Sequence, residues 1–278
     1  MVFKNVLVGV DGRPSGRDAI ALARRLTDPH GKLTLAFVHG GGLDDDPEHS
    51  RKLLEQERAA AHVEADLESV VASSPGRGIH QQAEEQGADL LVVGSCRRSA
   101  FGRTMLGDDT RAALNGAPCA VAIASVGLAE RHEPIAKIGV GYNRSQESIA
   151  ALALARELAA STGATIHPLE VVSIPTAAYG GLISPTIGES IEAIVQEAKS
   201  RMEQMPGVQG HAAYGLTGEE LAAFSEDVDI LVVGSRGYGP VRRLVLGSTS
   251  DYLERHARCP LLVLPRVAGT GDGGEHAP

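Results

Sequence analysis

The chain is predicted to be α/β, built as two tandem copies of one domain, each a parallel sheet with helices on both faces. Three observations predict this. Short apolar runs alternate with amphipathic helical stretches in a β-α-β-α-β-α-β-α-β order. The pattern then restarts: at an offset of 132, Gly9 matches Gly141, Asp11 matches Asn143, and Ala23-Arg24-Arg25-Leu26 matches Ala155-Arg156-Glu157-Leu158. At an offset of 140, Asp89 matches Asp229, Leu91-Val92-Val93-Gly94-Ser95 matches Leu231-Val232-Val233-Gly234-Ser235, Leu106-Gly107 matches Leu246-Gly247, and Cys119 matches Cys259.

In the first copy, Lys4 to Val10 is expected to be a buried strand. Asp11 to Ser15 is a turn, and Ser15 with Asp18 has capping-box spacing for a helix bearing Ile20, Leu22, Ala23 and Leu26. Gly31 closes that unit and Leu33 to Val38 is the second strand. Gly40 to Asp46 is an acidic loop; Asp44, Asp45 and Asp46 have no spaced partner ligands, so a solvated loop is expected there rather than a metal site. Pro47 to Asp66 is a long amphipathic helix. A weak strand follows near Val70 and Val71, then a helix around Ile79 to Glu85, and strands at Asp89 to Gly94 and Ala120 to Ala124. Ser125 to Pro134 is polar and is expected to be the linker, placing the domains at residues 1–126 and 134–267. Residues 268–278 have the composition of a disordered tail. The extra length of the second copy falls mostly in Val172 to Gly188, either a lid at the ligand edge or a plain surface insertion.

With 278 residues the chain is long enough for two full cores. A formal net charge of −9 argues against a general binder of nucleic acid or anionic membrane, and the absence of Trp removes the best base-stacking platform. No apolar run has transmembrane length, no basic-then-apolar leader precedes the first strand, and the three cysteines form no Cys-x-x-Cys. A cytoplasmic location is therefore expected, with Cys119 and Cys259 as small buried hydrophobes. His80, His167, His211 and His256 lack metal-ligand spacing and are expected to be surface or satisfied histidines.

The chemistry concentrates between Asp229 and Pro265. A strand ending in Val233 and Gly234 leads to Gly237, and after nine more residues to Gly247, Ser248, Thr249 and Ser250 at the start of a helix. Glycines permit close backbone approach, and a helix N-terminus offers unsatisfied N–H groups and a favourable dipole, so the pattern suits a phosphate. A bland alternative is that Ser248 or Thr249 only caps the helix. Neither Gly-x4-Gly-Lys-Ser/Thr nor Gly-x-Gly-x-x-Gly is present. Arg236, between the glycines, is a candidate phosphate partner, whereas Arg242 and Arg243 suit a solvated helix face.

These residues carry a resemblance to the universal stress proteins over both halves, from about Phe3 to Arg266. Gly234, Gly237, Gly247 and Ser248 match the Gly-x2-Gly-x9-Gly-Ser/Thr motif of that family's ATP-binding subgroup, and Asp11 and Gly87 to Gly94 carry further marks of the family. The resemblance implies two Rossmann-like domains of the adenine nucleotide alpha hydrolase-like type, each with a five-stranded parallel sheet. It implies ATP, accompanied by Mg²⁺, at the strand ends of the second copy, against Gly141, Tyr142, Asn143, Val171, Val233, Gly234, Arg236, Gly237, Gly247, Ser248, Thr249 and Ser250. Val171 would offer its backbone to adenine. It also implies that Ala120 to Ala124 and Leu261 to Leu264 pair within the chain as a pseudo-dimer, with a homodimer as a further option. The copies depart from the family pattern in opposite ways. The second has Asn143 at the strand-end acid position. The first keeps Asp11 but has Arg97 for the second glycine and Asp108-Asp109 for the hydroxyls, where like charges about 4 Å apart cost on the order of 1 to 4 kcal/mol each. Arg97, Arg98 and Arg103 offset part of that. The expected function is that of a non-enzymatic regulator in stress response that binds adenine nucleotide and signals to a protein partner. The alternatives are a nucleotide-free member acting through dimerisation or partner binding, and a slow ATPase.

Overall fold

The computed structural model describes residues 2–40, 47–95, 115–173, 185–235, 244 and 247–266. The first half contributes β1 (Phe3–Gly9), α1 (Pro14–Leu26), β2 (Thr27–His39), α2 (Pro47–Ala61), β3 (Asp66–Val71), α3 (Pro75–Glu85), β4 (Leu90–Gly94) and β5 (Ala120–Ala124). The second contributes β6 (Lys137–Tyr142), α4 (Gln146–Thr162), β7 (Thr165–Val172), α5 (Pro185–Glu203), β8 (His211–Tyr214), α6 (Thr217–Phe224), β9 (Ile230–Gly234), α7 (Ser248–His256) and β10 (Leu261–Leu264).

All ten strands form one sheet in the order β3-β2-β1-β4-β5-β10-β9-β6-β7-β8. Within each half every pair is parallel, and the halves join where β5 and β10 run antiparallel, Leu262 opposite Ala122. This is the pairing anticipated for Ala120 to Ala124 and Leu261 to Leu264. Because the join is antiparallel, the carboxyl ends of the two sets of strands point to opposite edges of the sheet.

Strand alternation sends side chains to two cores. Val6, Val8, Ile138, Val140, Ile230 and Val232 meet α1, α2 and α4 on one face; Leu7, Leu91, Leu231 and Val233 meet α3, α6 and α7 on the other. Both cores run through both halves. Cys119 and Cys259 are buried and free, and burial pushes both thiols up to about 12, so neither is a thiolate at neutral pH.

The repeated acids have a structural role. The Asp89 carboxylate accepts the N–H groups of Lys4 and Asn5 at 2.8 and 3.0 Å, and Asp229 accepts those of Ala136 and Lys137 at 2.8 and 2.7 Å. Each aspartate thus ties the foot of its fourth strand to that of its first, with charge-assisted bonds.

Several local expectations are corrected. Ser15 and Asp18 do not form a capping box: Arg13 is the N-cap of α1 without a side-chain bond, and Pro14, with φ preset and no N–H to lose, opens the helix. Asp18 is instead buried and accepts from the N–H groups of Gly127 and Ala129 at 2.9 and 2.8 Å. The segment expected to be a polar linker is thereby pinned to α1, forms a 3-10 turn at Leu128–Glu130 and buries Leu128. Gly31 does not close the first unit. Strand geometry begins at Thr27, and the register against β1 shifts between Phe3 and Asn5 to absorb the extra residues. α2 stops at Ala61 rather than Asp66, with His62 at a φ of 50°.

His167 lies at the foot of β7 and is 7% exposed. The Thr165 hydroxyl donates to Ala136 O at 3.3 Å, so His167 Nε2–H donates to Thr165 Oγ1 at 2.8 Å. His167 Nδ1 then accepts from His211 Nε2–H at 3.2 Å. Burial, then His211 and Lys137, hold the His167 pKa below its ordinary value. The unfolded chain therefore takes up a proton near pH 6.5 that the folded chain refuses. The contribution is complete above that pH and is lost as pH falls from about 6.5 toward the folded value. The expected result is a thermal midpoint that drops between about pH 7 and pH 5, with a smaller drop in His167→Gln; an identical pH profile for the two proteins would refute it.

Candidate functional site

In an open parallel sheet, ligands sit beyond the strand carboxyl ends where strand order reverses. In the second half that point lies between β6 and β9. Their pairing stops at Val140 opposite Val232, although β6 runs on to Tyr142 and β9 to Gly234. On their outer sides the same strands stay paired to the end, Tyr142 with Glu170 and Gly234 with Leu264. The strands therefore splay only at the reversal point. Gly141, Val233 and Gly234 are brought there together.

Asn143 caps the turn that follows β6. Its Oδ1 accepts the Ser145 N–H at 3.1 Å, and its own N–H donates to Ser148 Oγ at 3.3 Å. Ser145 is the N-cap of α4, accepting from Ser148 N–H at 3.2 Å. Asp11 in the first half makes the equivalent bond, Oδ1 to Arg13 N–H at 3.1 Å. The amide keeps the turn; what the second half lacks is the charge. Tyr142 is half-buried and packs against the core on the α4 side. Val171 is half-buried near the end of β7, beside Ala213.

Gly247 is the N-cap of α7, so Ser248, Thr249 and Ser250 are its first three residues. A glycine cap has no side chain to accept from them. The N–H groups of Ser248, Thr249 and Ser250 have no acceptor among the described residues, and the first helical bond runs from Asp251 N–H to Gly247 O at 2.9 Å. The capping alternative for Ser248 and Thr249 is thus excluded, and α7 presents an uncapped array of donors. Arg236 and Gly237 lie outside the described residues, as do Arg97, Arg98, Arg103, Asp108 and Asp109 of the first half and most of the insertion.

Three features escaped sequence reasoning. A Cβ on Gly234 would lie 2.5 Å from Glu147 Cβ, so only glycine lets the first turn of α4 reach the strand end. A Cβ on Gly94 would likewise lie 2.3 Å from Ser15 O. Glu147 stands where the first half has Ser15, and its carboxylate has no partner among the described residues. Helical side chains tilt toward the N-terminus, which directs Glu147 to the strand-end side. Ser235 is 1% exposed, and its buried Oγ has no hydrogen-bond partner among the described residues. Arg144 has a φ of 67° where the first half has Gly12 at 72°, and it approaches the buried carboxylate of Glu170 at 3.6 Å, alongside Arg201 at 3.1 Å. The repeat alignment could have flagged Glu147 and Arg144 as departures between copies; the orphaned hydroxyl required coordinates.

Other candidates carry no comparable chemistry. A groove of ≈ 470 Å³ lies between α2 and the outermost strand β3, lined by Arg51, Leu54, Glu55 and Arg58, away from either reversal point. Among the described residues no three His, Cys, Asp or Glu side chains gather as a metal site, and no helix is long and apolar enough to cross a membrane.

The universal stress protein family profile matches residues 3–125 and again residues 134–265. The chain belongs to the universal stress protein family. It is 26% identical over 293 aligned positions to a universal stress protein of Mycolicibacterium smegmatis, covering 93% of this chain and 96% of that one. It is 25% identical over 223 positions to universal stress protein Rv2319c of Mycobacterium tuberculosis, covering 75% of each. In fold it is similar to the crystal structure of a universal stress protein from Archaeoglobus fulgidus, with a TM-score of 0.62 over 95% of this chain and 98% of that one at 19% identity. The tandem α/β universal stress protein fold expected from the sequence is thus the fold observed.

The Gly234 contact yields a prediction. Gly234→Ala forces α4 away from β9 because the obstructing atoms are a Cβ and backbone, not a flexible tip. It should cost about 1 to 3 kcal/mol in chemical denaturation. A loss below about 0.5 kcal/mol would show that the close approach does not constrain the site.

Proposed function

We propose that this universal stress protein is a non-catalytic regulator that binds ATP in its second half and reports the bound state to a protein partner in the cytoplasm during stress. The observation that carries this is the uncapped first turn of α7. Gly247 leaves three N–H donors free at the positive end of a helix dipole, in the segment that matches the ATP-binding motif of the family. The buried Ser235 hydroxyl supports the same reading, because an unmade buried hydrogen bond is costly and a ligand oxygen or its bound water would satisfy it.

In this reading the amides of Ser248, Thr249 and Ser250 hold phosphate oxygens. The splay between β6 and β9 takes the nucleoside, with Asn143 able to offer its amide nitrogen to a ribose oxygen. Mg²⁺ fits the residues present, since it is commonly held by one or two carboxylates together with substrate phosphates, and Glu147 is an unengaged carboxylate beside Gly234. When bound, the ion would neutralise phosphate charge. Nothing among the described residues sets a general base or an activated nucleophile beside Ser248, which supports binding over turnover. Asn143 favours the nucleotide-free alternative, because the ribose loses its charged acceptor there; calorimetry decides between the two.

Ser248→Asp separates binding from stability. An aspartate at the first position of α7 suits the helix dipole, so the thermal midpoint should hold or rise slightly. ATP affinity should fall at least about tenfold through charge repulsion. Unchanged ATP binding by this variant in titration calorimetry, or none by the wild type, would refute the proposed site. Glu147→Gln should bind ATP more tightly than wild type without Mg²⁺ and gain less from adding it. Equal Mg²⁺ dependence in the two proteins would remove Glu147 from the site.

A further inference from the structure

Leu244, just ahead of α7 in the second half, is held from the other half of the molecule. Leu244, three residues before Gly247, donates its N–H to Ala117 O at 2.9 Å and accepts the Gly116 N–H at 2.8 Å. Leu244 and Ala117 are both fully buried, and Leu244 belongs to the core cluster that also contains Leu253 of α7 and Val121 of β5. Gly116 has a φ of 93°, a conformation that excludes most side-chain-bearing residues, so the clamp depends on glycine there.

The sheet topology explains why the first half is in place to do this. The antiparallel β5–β10 join sets the amino end of β5 beside the carboxyl end of β10. Gly116 and Ala117 immediately precede β5, so they lie at the edge of the sheet where the second half presents its ligand-binding loops. The opposite edge belongs to the first half's own strand ends.

We propose that Gly116–Ala117 is a positioning element of the second half's nucleotide site, so that the first half holds the chain at Leu244, on the approach to the α7 donors, and senses whether those donors are occupied. This rests on the nucleotide reading given above. Ordering backbone around a ligand costs conformational entropy, most of all where it is rich in glycine. Two backbone bonds and a buried leucine remove part of that freedom beforehand, which raises affinity without touching the ligand. The coupling is reciprocal: if the clamp favours ATP, ATP strengthens the clamp by the same factor. The Gly116 amide, on the far side of the domain boundary, is its reporter.

Hydrogen exchange on the full chain tests this without any substitution. Saturating ATP with Mg²⁺ should slow exchange of the Gly116 amide by about tenfold, within the usual range of coupling between sites. The Gly127 amide of the linker, bonded to Asp18 of α1, should not change. Gly116→Ala should weaken ATP binding by about tenfold, given the usual penalty of a disfavoured backbone conformation. Gly127→Ala is the matched control. It imposes a left-handed alanine at a φ of 76° with nothing within 4 Å of the new Cβ, and it should bind ATP within about twofold of wild type. Tight ATP binding with an unchanged Gly116 amide, or with Gly116→Ala indistinguishable from wild type, overturns the clamp and leaves the nucleotide site standing. No ATP binding by the wild-type chain overturns the nucleotide reading and the clamp's role with it.

Discussion

The β5–β10 pairing is the constraint on which the rest of the molecule depends. Each half alone would be a five-stranded sheet ending in a short apolar edge, Ala120–Ala124 or Leu261–Leu264. Such an edge offers unpaired backbone groups on both an apolar and an aggregation-prone strand. Joining the two edges satisfies those groups and buries Val121, Ala122, Leu262 and Val263 completely. It also fuses the cores on both faces into layers that ignore the boundary between the repeats. The antiparallel sense has a second effect: it separates the two ligand edges and puts the start of each central strand next to the other half's loops.

Comparison of the halves separates what the fold needs from what a ligand needs. Asp89 and Asp229 are retained in both and make the same pair of bonds to the first strand of their half. Asp11 and Asn143 also make the same bond, to the amide two residues on, so this position serves the turn in either form. The charge at Asp11 is not used by that bond, which an amide oxygen makes as well. A carboxylate there is therefore not demanded by the backbone. The same test applied to Gly94 and Gly234 gives the opposite answer: both are required by the close approach of the helix that follows the first strand of their half, whatever the site binds. The first glycine of the motif is thus architectural, and the copies differ at Gly237, which is Arg97 in the first half, and at Ser248 and Thr249, which are Asp108 and Asp109.

The periodic features of the sequence were legible. The parallel α/β type, the repeat and strand limits such as Ala120–Ala124 follow from local hydrophobicity and from comparison of the two copies, whereas the β5–β10 partners were implied only by the family resemblance. Features that depend on remote contacts were not. Ser15 and Asp18 have capping-box spacing, yet Asp18 is taken by the linker over a hundred residues on, because two backbone donors there outcompete one at the helix start. Ser248 has the composition of an N-cap but is displaced one place into α7, leaving glycine at the cap. The unsatisfied N–H groups expected at the start of that helix are present, with glycine rather than a hydroxyl residue standing at the cap.

That shift bears on how a degenerate copy persists in such a chain. If the side chains of a glycine motif were its binding groups, the first half, with Arg97, Asp108 and Asp109 in their place, would be surplus to the site. Backbone amides bind only where the backbone is held, and holding is a property of packing rather than of residue identity. The first half needs no phosphate chemistry to supply it. It needs an intact β5, a glycine able to stand at a φ of 93°, and a core that continues into its partner, and it has all three. Loss of the motif in one copy and retention of its fold are then two consequences of a single division of labour, in which one half offers the donors and the other keeps them aimed.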